Sequence, residues 1–426
     1  MPDWTAWPFA LEDPYPGYRL ARTEAPVPFD PKLGAHLVLS YTAAKHVLRT
    51  PAQWSSDPRT SPALADALGD TVAELWSRSL IMSDPPVHTR LRQAAGRFFT
   101  PRAVHRLQAR VHTIVEAAIE PLGDGAPVEV MGELAYPIPL AVIAEVFNIG
   151  AEGAHLLHTE TPALIGIIEI TPSQATLQAA ITAAMTLSLF LIPIVAERRR
   201  RPGDDLLSAL IHARDGGPAL ETDEIVNLCL LLLAAGHETT ANLIGNGTLA
   251  LLEHPEQLGV LARDPELSRP SVEEFLRYDT PTQVISRIAL ADQKLEGVRI
   301  RAGEQALIVL GAANHDPFRH PRGDELILQR QNQAHLAFGH GPHFCLGAGL
   351  ARLEAEAAFA RIAGPLTRSR SAGWTSRRAD TPTLRRLQSL WLGTNSAPVT
   401  DTGAAAKDAA FRRDSYGAAG PSSFGA

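Results

Sequence analysis

The run Phe338-Gly339-His340-Gly341-Pro342-His343-Phe344-Cys345-Leu346-Gly347 constrains this chain more than any other stretch. It sets a cysteine in a glycine-flanked loop directly ahead of Ala348-Gly349-Leu350-Ala351-Arg352-Leu353-Glu354, a segment rich in helix formers. A sulfur just before a helix N-terminus feels the positive end of the helix dipole and a set of unpaired backbone N–H groups, and both favour the thiolate. Gly341 and Gly347 let the backbone turn and let a flat ligand approach closely. Phe338 can pack beneath the loop and keep water from the sulfur, so the loop reads as a shielded mount for a metal-bound thiolate. Two other readings stay open on these residues alone. His335, His340 and His343 lie nearby and allow a zinc site, although no second ligand pair stands at customary spacing. A buried cysteine can also be an inert small hydrophobe.

A second segment breaks the local rules of helices. Asp223 to Ala250 reads as one long helix, capped by Thr222 or Asp223 and apolar on nearly every face through its middle. Such a helix is buried through the protein centre. Inside it stands Ala235-Gly236-His237-Glu238-Thr239-Thr240. Charged and β-branched residues beside a glycine are unfavourable there, and violations of this kind mark functional sites. Thr239 can hydrogen-bond the carbonyl of Ala235 one turn back, Gly236 eases the opening, and water can enter the widened ladder. The product is a polar notch in an apolar wall, although taken alone a satisfied kink accounts for it more readily.

Together these segments resemble the cytochrome P-450 superfamily of haem-thiolate monooxygenases. The pattern Phe-x-x-Gly-x-x-x-Cys-x-Gly is similar to that family's haem-binding loop, and Glu238-Thr239 to its oxygen-activation pair of an acid before a threonine. The resemblance runs from Asp13 to about Leu392. It implies a mainly α, triangular fold with a small β region, and one haem domain over residues 1–394. Haem b would lie between the Thr239 helix and the Cys345 loop, with Cys345 as the axial thiolate. Glu238 would relay protons and Thr239 would hold O2 and its water. The pair implies reductive activation of O2 rather than direct use of peroxide.

The resemblance also assigns cations and a structural pair. Ser83-Asp84-Pro85-Pro86 opens a helix on which His88 and Arg92 fall one turn apart, similar to the family's contact with the haem propionates. Arg287, in the strand-like Val284-Ile285-Ser286-Arg287-Ile288, and His343 complete the set. Glu274-Phe275-Leu276-Arg277 matches the family's Glu-x-x-Arg motif, which implies a buried charge-assisted network in place of a weak surface pair. Arg322 and Arg330 are both candidates for its third, basic partner. His315 stands where arginine is commoner in the family.

Composition sets the remaining expectations. Apolar residues make up 45% of the 426, enough for a large core, and the net charge of −7 with no lysine-rich tract points away from nucleic acid. Two cysteines, Cys229 and Cys345, make no disulfide framework, so a cytoplasmic setting is expected. No apolar stretch is read as reaching transmembrane length and no signal peptide or membrane anchor is read at Met1-Pro2-Asp3, so a soluble monomer is expected. The arginine run Arg198–Arg201 reads as a solvated helix end, and residues 395–426 as a disordered tail. The stretch after Cys345 is short for a flavin or ferredoxin domain, so electrons are expected from a separate ferredoxin and NAD(P)H-dependent reductase. Arg97, Arg102 and Arg106 offer that partner a basic patch. Leu232, Leu233 and Ala235 are expected to face the haem pocket, Val284 and Ile285 to form its opposite wall, and Leu164–Ile168 to act as lid. That lining predicts a hydrophobic small-molecule substrate, hydroxylated or epoxidised, in the manner of secondary metabolism. An oxidative coupling enzyme, a non-catalytic haem protein and a zinc hydrolase are the alternatives.

Overall fold

A computed structural model describes residues 12–66, 79–123, 127–170, 172–212, 220–331, 334–379 and 381–393. The expected tail and the first residues of the chain lie outside them.

Helices dominate, and the longest, Thr222–Glu253, carries a buried side chain at most of its positions. Its start differs from expectation. Glu221 is the cap, because its backbone N–H donates to the Glu224 carboxylate at 3.0 Å while its own side chain accepts from the backbone of Glu224. Helices Pro137–Phe147, Gln174–Arg200, Ser268–Tyr278 and Ala348–Arg370 pack around it. Gly247 permits the closest of these approaches: a Cβ there would come within 2.5 Å of Phe359 and 3.0 Å of Phe275. Those two rings meet at 4.5 Å, tilted by 46°, and are buried, each worth roughly 1.5–3 kcal/mol of apolar burial.

The β structure is small. A five-stranded sheet runs Phe29–Asp30, Ala35–Val38, Gln305–Val309, Val284–Ala289 and Trp54–Ser55 in spatial order. Only Ala35–Val38 and Gln305–Val309 pair in parallel, with Leu37 opposite Leu307. A three-stranded sheet joins Val128–Glu129, Leu387–Leu392 and Trp374–Arg378, and Gln293–Leu295 with Val298–Ile300 forms a hairpin. Val284–Ala289 matters most for the site, since it carries Arg287.

One expectation is corrected here. Two helices, Gln174–Arg200 and Thr222–Glu253, are long and apolar enough to cross a membrane. Thr222–Glu253 is mostly buried by its neighbours, whereas Gln174–Arg200 leaves Met185, Leu189 and Ile192 exposed. The latter reaches that length because no charged residue interrupts it between Gln174 and Ala196.

Candidate active site

The Cys345 loop is closed by its own backbone. Cys345 N–H donates to the carbonyl of Phe338 at 2.8 Å, and Phe344 N–H to that of Gly341 at 3.0 Å. Gly341 has φ +73°, and a Cβ there would collide with the Leu48 carbonyl, so glycine is required twice over. Gly347 has an ordinary φ of −83°, and no atom lies within 4 Å of where its Cβ would stand. The turn therefore does not need that glycine; what it leaves is open space beside the sulfur. Phe338 packs partly on the core under the loop, with the Arg352 guanidinium 4.5 Å from its ring centre.

Burial pushes the Cys345 thiol up, against the backbone N–H groups of Gly347 and Ala348 and the charges of Arg92 and Arg352, which pull it down. The expected preference for thiolate is thus present as a local field but outweighed in the protein alone. A coordinated metal cation tips that balance, since it deprotonates a bound thiol outright. Cys229 is fully buried with its thiol pushed far up, consistent with an inert core position.

Across the core, the long helix opens on one face. Ala235 is exposed and Thr239 half-buried, although the residues flanking them are mostly buried. Thr239 Oγ1 donates to the Ala235 carbonyl at 2.8 Å. Glu238 is only 1% exposed, and Tyr136 Oη donates to its Oε2 at 3.4 Å. Burial raises the Glu238 carboxyl, and Arg386 and the Tyr136 hydroxyl act against that rise. His237 turns away: its Nδ1 donates to the Leu233 carbonyl at 3.1 Å, and burial holds the imidazole down to about 4.

Two pocket expectations are corrected. Leu233 is closed in the core, because two residues along a helix turn about 200°, which sets it opposite Ala235. Leu232, at 8% exposure, lies nearer the opening. Val284 and Ile285 point to opposite faces of their strand, so they cannot share a wall; Val284 is buried with Tyr18 and Leu37, and Ile285 is the half-open one.

The four basic side chains do converge beside the cysteine. The His88 and His343 rings lie 4.1 Å apart, and Ser56 Oγ is hydrogen-bonded to His343 Nε2 at 3.0 Å. Burial, then Arg287, His88 and Arg92, hold His343 down to about 2. Arg287 is 7% exposed and lowered to about 10 by burial, with Asp84 opposing. Asp84 already accepts from Ser56 N–H at 2.9 Å and from Ser55 Oγ. His88 Nε2 is buried with no partner among the described residues. Buried like charges and an orphaned donor in one place are costly unless an anion joins them. The residues present therefore fit a flat dianionic group whose metal meets the Cys345 sulfur.

Behind the loop, Arg277 and Glu274 are both fully buried and form two hydrogen bonds of 2.9 Å. Arg330 is the third partner, with its Nε 3.1 Å from both Glu274 oxygens. Arg322 instead pairs with Glu325 at the surface. His315 Nε2 donates to the Tyr278 carbonyl at 2.8 Å. His335 is committed to Glu273 at 3.2 Å, and among the described residues no group of three metal-ligating side chains stands together. Tyr136 and Arg386 were not singled out from the sequence; each is a lone residue with no spacing pattern to flag it.

The comparisons agree with this geometry. The cytochrome P450 family model matches residues 266–363. A "Vitamin D(3) 25-hydroxylase" of Pseudonocardia autotrophica is 37% identical over 358 residues, 82% of this chain and 86% of its own. "Cytochrome P450 monooxygenase PikC" of Streptomyces venezuelae is 38% identical over 354 residues, 81% of this chain and 82% of its own. The crystal structure of P450BioI with an acyl-carrier-protein-linked hexadec-9Z-enoic acid superposes with a TM-score of 0.82 at 32% identity, covering 90% of this chain and 98% of that one. Fold and site thus define a haem-thiolate oxidoreductase. The chain belongs to the cytochrome P450 family and is a P450 monooxygenase.

Proposed function

We propose that this monooxygenase hydroxylates or epoxidises a hydrophobic small molecule, drawing electrons from a separate ferredoxin and its NAD(P)H-dependent reductase. The convergence of His88, Arg92, Arg287 and His343, beside an Asp84 carboxylate already hydrogen-bonded to Ser55 and Ser56, carries the reading. His88, Arg92 and Arg287 would hold the haem propionates, and Cys345 would bind the iron. When bound, thiolate-ligated haem supplies O–O cleavage and oxygen insertion.

The protein's own groups do the rest. Phe338 and the closed loop backbone keep water from the sulfur. Thr239 Oγ1, pinned to the Ala235 carbonyl, keeps its lone pairs towards the opening. Burial raises the Glu238 carboxyl beside it, so the acid keeps its proton to higher pH than an ordinary carboxylate would. Leu232 and Ala235 border the opening with apolar side chains, and the half-buried Ile285 would line the wall across from them, which suits a hydrophobic substrate. One relative is named for 25-hydroxylation of vitamin D(3), which favours the same class.

Arg97, Arg102 and Arg106 are exposed on and beside helix Pro101–Ile119, which packs on the helix that follows Cys345. They would dock an acidic ferredoxin. The test is a spectrum of the reduced, carbon-monoxide-bound protein, followed by NAD(P)H-driven turnover with ferredoxin and reductase. A thiolate-type spectrum with O2-dependent product formation is expected. A colourless protein after haem reconstitution overturns the reading.

A further inference from the structure

Asn242 is fully buried in the long helix, and neither its amide nitrogen nor its amide oxygen has a partner among the described residues. It stands three residues after Thr239 and four after Glu238, the two spacings that make side chains neighbours on a helix surface. The Oε1 of Glu238 is also buried and unpartnered. Three polar atoms from adjacent turns of one buried helix are thus left without protein partners. A site lined this way is satisfied by internal water, which needs two to four polar partners. One turn further on, Asn246 is immobilised: its Nδ2 donates to the Arg385 carbonyl at 2.8 Å, and its Oδ1 accepts from Arg378 at 2.8 Å. Arg378 is in turn fixed on Asp279 at 3.0 Å. Asn246 therefore closes the far end, while Tyr136 and the partly exposed Arg386 link Glu238 towards solvent.

We propose that Asn242 is a positioning residue that holds water against the back of Glu238. The acid gives its proton on the Thr239 side and regains one from that water, which bulk solvent reprotonates in turn. The proposal rests on the proton-relay reading of Glu238 and Thr239 and names what refills the relay.

The test uses the haem-loaded enzyme with ferredoxin and reductase, and reads NAD(P)H-driven O2 consumption and peroxide release in H2O and D2O without organic substrate. Asn242→Leu keeps the volume and removes the amide. It is expected to slow O2 turnover by roughly tenfold, a fraction of the about 10²–10⁴-fold that a positioned proton donor contributes, and to enlarge the solvent isotope effect. Its melting temperature is expected to match or exceed that of the wild type, since a costly buried amide goes and no described protein group loses a partner with it. Wild-type rate and isotope effect in Asn242→Leu overturn the proposal. Should Asn242→Leu also melt lower, Asn242→Ser decides. Recovery of the rate to near wild type supports a water-holding role, and failure to recover overturns it. The underlying relay reading fails separately, and visibly, if Glu238→Gln leaves both rate and isotope effect unchanged.

Discussion

Thr239 Oγ1 donates to the carbonyl oxygen of Ala235 at 2.8 Å, and both residues face the one opening described in an otherwise buried helix. The bond spends the hydroxyl's only proton on the backbone and leaves its lone pairs outward, ready to accept from water or O2 chemistry. Thr239→Val keeps the shape and deletes the hydroxyl. Peroxide released per NAD(P)H should rise several-fold while unfolding stability changes by about 1 kcal/mol or less. Peroxide assay and thermal melting, run side by side, check this.

Glu238 gives a pH dependence whose sign follows from its surroundings. Burial raises its carboxyl, so the proton-bearing form persists above the ordinary carboxylate range. Coupled turnover should therefore be highest at lower pH and fall as pH rises through that raised value. The Tyr136 hydroxyl stabilises the ionised form, so Tyr136→Phe should move the falling limb to higher pH. A pH–rate profile of both proteins would show the displacement; a shift to lower pH would contradict it.

The cysteine loop was legible from sequence because its demands are made on the backbone. Gly341 sits where any side chain meets Leu48, and Cys345 precedes a helix that composition announces. Glu274 and Arg277 were legible as an i, i+3 pair. What escaped depends on angle or on contacts distant in sequence. Leu233 was misplaced because an apolar run does not say which way each residue faces. Val284 and Ile285 were misplaced by ignoring the alternation of a strand. Arg330 could not be chosen over Arg322 because the segment that carries them is irregular and has no period to fix a direction.

The basic set should reveal itself through haem retention. Among the described residues Arg287 has no carboxylate within hydrogen-bonding distance, and its Nη1 donates to the carbonyl of Ser286 at 2.7 Å. A charge-assisted bond to a propionate is worth about 1.5–3 kcal/mol. Arg287→Leu should then speed haem loss to apomyoglobin by roughly 10–100-fold. The apoprotein of the same variant should be no less stable, because a buried cation that no carboxylate hydrogen-bonds among the described residues has been removed.

Arg330 and Arg322 separate a buried network from a surface pair. Arg330 Nε reaches both oxygens of the fully buried Glu274, whereas the Arg322–Glu325 pair is largely exposed. Arg330→Ala should cost roughly 3–5 kcal/mol, since it strips a partner from a buried charge. Arg322→Ala should cost about 1 kcal/mol or less. Urea titrations of the two variants would order them, and equal midpoints would contradict the assignment.

Asp279 predicts how the fold fails in acid. Burial alone would raise its carboxyl, but Arg385, Arg378 and the Tyr15 hydroxyl at 2.6 Å more than offset that and hold it near 2, below the ordinary value of 3.8. A carboxyl depressed in the folded state contributes stability that is present above pH 3.8 and lost as pH falls towards 2. The difference corresponds to about 2 kcal/mol. Asp279→Asn removes the charge at every pH and leaves two buried arginines short of an anion, so it should melt lower at neutral pH. Its stability should also fall less steeply than that of the wild type between pH 4 and 2, because the group whose protonation drives part of that loss is gone. Parallel acid limbs in the two proteins would place the acid-sensitive contact elsewhere.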